Sequence, residues 1–502
     1  MNGSFPISGV IGIVAEDVAQ LALARQHGLT CVELRADLLL SAGVSVDDLL
    51  GLTAKAAQDG LGCLFTLRHR SHGGTFDGSE DERAALLRKA LGAGADVVDV
   101  EWGTPAAEAL LSEVSAPVVL SYHDFDGMLS AARLQSLTDA MTAAGPLALK
   151  VVPLAAKLSD AARMLQWVEA RPAGAPARIG FAMGPCGAAS RILTIAYGAP
   201  ITYAALGKSV APGQVAMAEL LEVYRVHELN GDTRVYGIAG THSLTSFSPF
   251  LHNPGFTAHG LNAVYVPLQT DDFNDLHASL GSLRIDGLSI TTPFKEDALR
   301  LADEADARSK NCGAANTWVI RRTVEGTRVS AYNTDFDGVI VPIAQHTDVK
   351  GLKVAVIGNG GAARGAVEAL ADGGAVPHLF YRDQERGGAV AEALGVSGAL
   401  LSAIDDSFDV YLNATTLGTQ PDDPSPVSKE IFKRSGQLAF EMLYQNPNSQ
   451  FLADAAQAGI TCVRGREMLV AQGVEQLKLF TGKEAGLAEY EANFERGIRY
   501  RF

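Results

Sequence analysis

Residues 147–153 read LALKVVP: apolar throughout except for Lys150. An unpaired ammonium inside a buried strand is costly, so the surroundings of this stretch must account for it. Similar apolar, β-branched runs recur on both sides. They are VIGIVA (10–15), CVELRAD (31–37), GCLFTLR (62–68), VVDVEW (97–102), PVVLSYHD (117–124), ARIGFAMG (177–184) and ITYAALG (201–207). Between them lie Ala/Leu-rich segments with helical spacing, such as DERAALLRKALGAG and DAARMLQWVEA. Near-continuous apolar strands alternating with helices predict a parallel sheet. Eight such units within residues 1–229 predict a (β/α)8 TIM barrel with LALKVVP as its sixth strand.

A barrel places active-site groups at the C-terminal ends of its strands. The polar residues fall there. Glu33, Arg35 and Asp37 end the second run, Arg68 the third, and His123 and Asp124 the fifth. Arg191 follows the seventh, and APGQ (211–214) follows the eighth. Alternation sets Glu33, Arg35 and Asp37 on one side of their strand, where they suit substrate hydroxyls. Burial among apolar residues favours the neutral amine of Lys150, which can attack a ketone and form an imine. A histidine on the neighbouring strand, His123, can take and return a proton. Arginines can grip a carboxylate through two hydrogen bonds. Imine-assisted elimination and aldol-type chemistry on a small carboxylated ketone are both open at this point.

The bulk numbers set the frame. The chain has 502 residues, enough for several domains, with 47% hydrophobic and 20% charged residues. Its formal charge of −16 disfavours nucleic acid and anionic membrane surfaces. The cysteines Cys31, Cys63, Cys186, Cys312 and Cys462 are scattered and lack CxxC spacing. The expectation is therefore no disulfide framework, no metal site and a reducing cytoplasm. The start, MNGSFPISGV, has no signal-peptide pattern, and no apolar run is long enough for a bilayer.

ELRAD, FTLR…GG, SYHDF, LKVVP, MG…SR and APGQ, in that order, resemble the type I 3-dehydroquinate dehydratases over residues 8–228. The resemblance implies that Lys150 forms a Schiff base with the substrate's C3 carbonyl. His123 would remove the C2 proton and assist departure of the C1 hydroxyl. Glu33, Arg35, Arg68, Arg191 and Gln214 would bind substrate. Two positions depart from the family pattern. His72 stands where a supporting glutamate is usual, and Val210 where Ser or Thr precedes APGQ. Replacing a carboxylate by imidazole beside His123 should lower its pKa.

LNGDTR (229–234) reads as a short linker, after which the pattern changes. LKVAVIGNGGAARGAVEAL (352–370) is a strand, a Gly-rich turn and an Ala-rich helix, the context of a dinucleotide loop. Gly358, Gly360, Gly361 and Ala362 would lie against the pyrophosphate at the helix N-terminus. The next strand, VPHLFYR (376–382), leads into YRDQER, where Arg382 and Arg386 suit a 2′-phosphate and Asp383 a free 2′-hydroxyl. Upstream, GTHSLTSFSPFLHN (240–253), LSITTPFKE (288–296), GAANT (313–317) and NTDFDG (333–338) offer hydroxyls and amides suited to a polyhydroxylated ligand. Lys295 and Asp335 among them form a pair able to relay a proton.

This half resembles shikimate dehydrogenase over residues 233–502. The resemblance implies Lys295 and Asp335 as the catalytic pair. It implies Ser246, Ser248, Thr291, Asn316, Tyr444 and Gln472 as substrate contacts, and Asn413 and Thr415 of NATTLG near the nicotinamide. It also implies NADP(H) as cofactor. His242 and Thr245 stand where the family has proline and histidine, and Tyr381-Arg382-Asp383 where it has Asn-Arg-Thr. The expected domains are a dehydratase barrel (1–229), a substrate-binding domain (233–337, completed by 469–502) and a Rossmann domain (338–468). Together the halves predict a bifunctional fusion of the plant type acting on 3-dehydroquinate and then 3-dehydroshikimate. The alternatives are an NAD-preferring quinate/shikimate dehydrogenase, a weakened dehydratase half, or one half reduced to a binding module.

Overall fold

The computed structural model describes residues 5–113, 116–207, 215–324, 326–444, 446 and 448–500. The chain divides into two compact units, residues 1–249 with 260–286, and residues 250–259 with 287–502.

The first unit opens with eight strands: β1 (Gly9–Val14), β2 (Cys31–Arg35), β3 (Gly62–Thr66), β4 (Val97–Glu101), β5 (Val118–Asp124), β6 (Ala148–Pro153), β7 (Ala177–Gly180) and β8 (Ile201–Ala205). Each of β1 to β6 pairs in parallel with the next, and β8 pairs in parallel with β1, so the sheet order runs β7-β6-β5-β4-β3-β2-β1-β8 with β7 and β8 at its ends. One apolar cluster takes Ile11, Cys31, Leu64, Val97, Val119, Ala148, Ile179 and Ile201, one from each strand in turn. A cluster fed by all eight strands is the packed interior of a barrel. Four runs end two or more residues sooner than their apolar pattern suggests: β2 at Arg35, β3 at Thr66, β7 at Gly180 and β8 at Ala205.

Later in this unit, β9 (Arg234–Gly240) and β10 (Ala263–Gln269) pair in parallel. In the second unit, β11 (Ile285–Ile290) pairs through residues 287–289 with β13 (Thr317–Thr323) in antiparallel fashion. β13 pairs antiparallel with β14 (Gly326–Tyr332), and β14 parallel with the short β12 (Glu304–Ala305). A further parallel sheet comprises β15 (Lys353–Ile357), β16 (Val376–Tyr381), β17 (Ser397–Leu400), β18 (Val410–Asn413), β19 (Leu438–Glu441) and β20 (Thr461–Val463). Its order, β17-β16-β15-β18-β19-β20, reverses beside β15, so the crevice at that reversal is the place for a ligand in a doubly wound fold. Apolar clusters cover both faces of this sheet, with Val354 and Val356 in one and Ala355 and Ile357 in the other. The architecture is a barrel followed by α/β regions that include a Rossmann sheet. Among the described residues, no helix is long and apolar enough to cross a membrane.

Candidate active sites

On each barrel strand alternate residues face inward. Val97 belongs to the interior cluster, so Asp99 and Glu101 follow it inward. Cys31 carries Glu33 and Arg35, Val119 carries Ser121 and His123, and Ala148 and Val152 bracket Lys150. A cavity of about 100 Å³ is lined by Glu33, Arg35, Arg68, His123, Lys150 and Arg191 together with Phe181 and Tyr203. Five strands or their following segments thus bring six of the expected residues together. Gln214 and Val210 lie outside the described residues.

Lys150 is not an amine in an apolar shell. Its Nζ donates to Asp99 Oδ2 at 2.9 Å, lies 3.9 Å from Glu33 Oε1 and sits 4.3 Å above the Tyr203 ring. The apolar neighbours in sequence, Leu149 and Val151, fall on the other side of the strand. The expectation of burial among apolar groups is corrected: the resting lysine is a buried ion pair. Burial pulls the Asp99 carboxyl upward, but Lys150, Arg68 and the Ser121 hydroxyl (2.7 Å) outweigh it and hold it below the usual carboxylate range.

The surrounding charges are also paired. Arg35 grips Asp37 through Nε (2.9 Å) and Nη2 (2.8 Å). Asp37 lies in the helix Ala36–Ser41 and also accepts from Thr75 N, so it is a support for Arg35, not the third hydroxyl-binding group of the strand. Arg68 Nε lies 3.3 Å from Glu101, which Arg83 also contacts. Thr66 donates to Glu33 Oε1 at 2.7 Å. Arg191 is buried, its guanidinium 4.4 Å above the Phe181 ring, and burial pulls its pKa down to about 10. A bound carboxylate would restore its charge stabilisation.

His123 stacks on Phe125 with ring centres 6.3 Å apart. Burial, followed by Arg68, Lys150, Arg35 and His72, drives its pKa well below the ordinary value. Its Nδ1 is buried without a hydrogen-bond partner, as expected where no carboxylate stands behind the ring. Asp99, Glu101 and Tyr203 escaped the sequence reading. The signal was there in the inward parity of VVDVEW and ITYAALG, once the strand order was known.

In the second unit, Lys295 begins the helix Lys295–Leu301 and Asp335 the helix Asp335–Ala344. Lys295 Nζ donates to Asp335 Oδ2 at 2.5 Å. Asn316 Nδ2 donates to Asp335 Oδ1 at 2.9 Å and to Gln472 Oε1 at 3.4 Å. Thr334 N and Thr317 Oγ1 donate to Asn316 Oδ1 and fix the amide's orientation. Four expected residues thus form one chain of hydrogen bonds. Thr291 is half-buried in the turn before Lys295, its carbonyl accepting from Phe294 N. Tyr444 is half-buried, and burial raises its phenol pKa. Ser246 and Ser248, in the first unit, are buried and bonded to each other at 3.1 Å.

Gly358 leaves β15 with φ +118°, a left-handed conformation that favours glycine, and an added Cβ would meet Ala414 O at 3.1 Å. At Gly360 and Gly361 an added Cβ would meet nothing, so the backbone amides that begin the helix Gly361–Asp372 stand open. Beside them Asn359, Gly360, Arg364 and Arg386 line a cavity of about 410 Å³. An open helix N-terminus with two arginines at its edge fits a dinucleotide carrying an additional phosphate. Arg364, one turn into the helix, was not foreseen, and exposed Arg382 lies outside this lining. Asp383 caps the helix Gln384–Ala393, its Oδ1 accepting from Arg386 N at 2.9 Å. Asn413 is fully buried. Its Nδ2 donates to Glu441 and Leu417 O, while its Oδ1 accepts from Thr415, so this pair holds the loop after β18.

Known families match successive stretches of the chain. Type I 3-dehydroquinase matches residues 10–230, the shikimate dehydrogenase substrate binding domain residues 238–318, and the shikimate 5′-dehydrogenase C-terminal domain residues 465–489. A chloroplastic bifunctional 3-dehydroquinate dehydratase/shikimate dehydrogenase of Arabidopsis thaliana is 32% identical over 493 residues, covering 93% of this chain and 80% of its own. The chain belongs to this bifunctional family. A shikimate dehydrogenase (NADP(+)) of Halorubrum lacusprofundi is 35% identical over 261 residues, 50% of this chain and 94% of its own. The enzyme of that name from Pyrococcus furiosus is 33% identical over 260 residues, 51% and 93%.

Proposed function

We propose that the barrel dehydrates 3-dehydroquinate to 3-dehydroshikimate and that the following regions reduce it to shikimate with NADPH. The observation that carries this is the lysine at the centre of a buried charge network, in a chain that also holds a Lys–Asp pair and a dinucleotide cradle. We assign the dehydratase to residues 1–229, the substrate-binding domain to 233–337 with 469–502, and the cofactor domain to 338–468.

In the barrel, Lys150 must lose a proton before its amine attacks the C3 ketone. His123, neutral at neutral pH, is the acceptor, since Asp99 is held as a carboxylate. His123 returns that proton to the hydroxyl of the carbinolamine, which leaves as water. The resulting iminium carries the same charge as the ammonium, so the Asp99 ion pair persists, and His123 is neutral again. His123 removes the C2 proton, electrons move toward the imine nitrogen, and the C1 hydroxyl leaves as water with a proton returned by His123. Hydrolysis of the imine then frees product and lysine. Arg191 faces the substrate carboxylate, and Glu33 and Arg35 the ring hydroxyls.

In the reductase, NADPH supplies the hydride when bound. Gly358, Gly360, Gly361 and Ala362 hold its pyrophosphate, and Arg386 and Arg364 its 2′-phosphate. Lys295 delivers a proton to the C3 oxygen, and Asp335, which accepts a hydrogen bond from its Nζ, aims the lysine. Ser246, Ser248, Thr291, Asn316, Tyr444 and Gln472 make up the remaining substrate contacts. Quinate oxidation with NAD is the competing activity to measure. The five free cysteines fit a reducing, cytoplasm-like compartment.

Borohydride reduction in the presence of 3-dehydroquinate should leave a covalent adduct on Lys150, read by peptide mass. No adduct there would refute the imine. Arg386→Ala should raise the KM for NADPH by roughly 10- to 100-fold, the loss of a charge-assisted bond, and leave NADH unchanged. His72→Glu should raise the His123 pKa. The dehydratase rate, which needs neutral His123, should fall off only at acid pH well below the ordinary imidazole range in the wild type, and this acid limb should move to higher pH in the variant. A limb in the same place in both proteins would exclude His72 from the environment of His123.

A further inference from the structure

Tyr203 has no part in the steps above. It stands on β8, is 3% exposed and lines the same cavity as Lys150, His123 and Arg191. Its ring supports Lys150 Nζ at 4.3 Å and meets Phe181 edge-on at 5.8 Å, while the Phe181 ring carries the Arg191 guanidinium. The phenol oxygen is buried and has no hydrogen-bond partner. The two carboxylates whose charge reaches it hold other donors: Glu33 accepts from Thr66, and Asp99 from Lys150 and Ser121. An unsatisfied buried hydroxyl destabilises the empty protein, and a phenylalanine would keep both ring contacts without that cost. Burial, with Glu33 and Asp99 nearby, holds the phenol pKa well above its ordinary value, so the group keeps its proton and can donate.

We infer that the Tyr203 hydroxyl donates a hydrogen bond to an oxygen substituent of the ligand whose ketone Lys150 captures, and so selects for an oxygenated ring. The inference rests on the imine reading of the barrel. Its test is Tyr203→Phe in the full chain, with thermal unfolding, steady-state dehydratase kinetics and borohydride trapping side by side. The empty variant should melt higher than the wild type by a few degrees. The KM for 3-dehydroquinate should rise roughly 3- to 10-fold, the value of one neutral hydrogen bond, with kcat unchanged and Lys150 still trapped. An unchanged KM, or a lower melting temperature without ligand, overturns the inference, because the hydroxyl would then be idle or satisfied by the protein itself. A fall in kcat alone also overturns it, placing the hydroxyl in the reaction instead of in binding. A wild type that traps no adduct on Lys150 removes the imine reading and this inference together.

Discussion

Lys150→Met is expected to lower dehydratase turnover by at least roughly 10⁴-fold, the scale on which loss of a covalent nucleophile is felt. Reduction of 3-dehydroshikimate by the same chain should stay within about twofold of the wild type. Methionine is an unbranched chain one atom shorter than lysine and supplies neither the amine nor the positive charge. Asp99 would keep the Ser121 hydroxyl at 2.7 Å and Arg68 at 3.8 Å, so its charge would be only partly matched. Breaking a buried pair of this kind costs about 3 kcal/mol, and the barrel should melt earlier for that reason. Circular dichroism at the assay temperature separates loss of chemistry from loss of fold. Folded protein with dehydratase turnover above a hundredth of the wild type would rule out Lys150 as the nucleophile.

Lys295→Met should lower kcat for 3-dehydroshikimate reduction by roughly 10²- to 10⁴-fold, the range for loss of a positioned proton donor. Asp335→Asn should give a smaller loss of the same kind. It removes the acceptor 2.5 Å from Lys295 but leaves an amide that can still meet Asn316. Neither change touches the barrel's charge network, so dehydratase turnover serves as the internal control. Equal losses in both activities would point to unfolding. A rise in KM with kcat preserved would make the pair a binding element instead of a proton relay.

The strands were legible because parallel strands are buried on both faces and read as continuous apolar runs. Their ends were less legible. CVELRAD looks like seven strand residues, yet the chain turns into a helix at Ala36, and Asp37 closes on Arg35. The reading of Lys150 failed for a related reason. Leu149 and Val151 are its neighbours along the chain, but alternation sends them away from it. Its actual partners, Glu33 and Asp99, come from strands remote in sequence, a pairing that only strand order supplies. The Lys295–Asp335 pair was found by residue type and motif. The Asn316 amide that orients it was foreseen as a substrate contact, and its bond to Asp335 belongs to the fold. Asp383 looked like a rival for the ribose because helix capping and hydroxyl recognition use the same carboxylate.

The claim that one chain performs two successive reactions is tested most directly by supplying purified enzyme with 3-dehydroquinate and NADPH alone. The account predicts loss of one NADPH for each 3-dehydroquinate consumed, with shikimate as the product, and no NADPH loss in Lys150→Met unless 3-dehydroshikimate is added. Reduction of added 3-dehydroshikimate with no NADPH loss from 3-dehydroquinate in the wild type would contradict it.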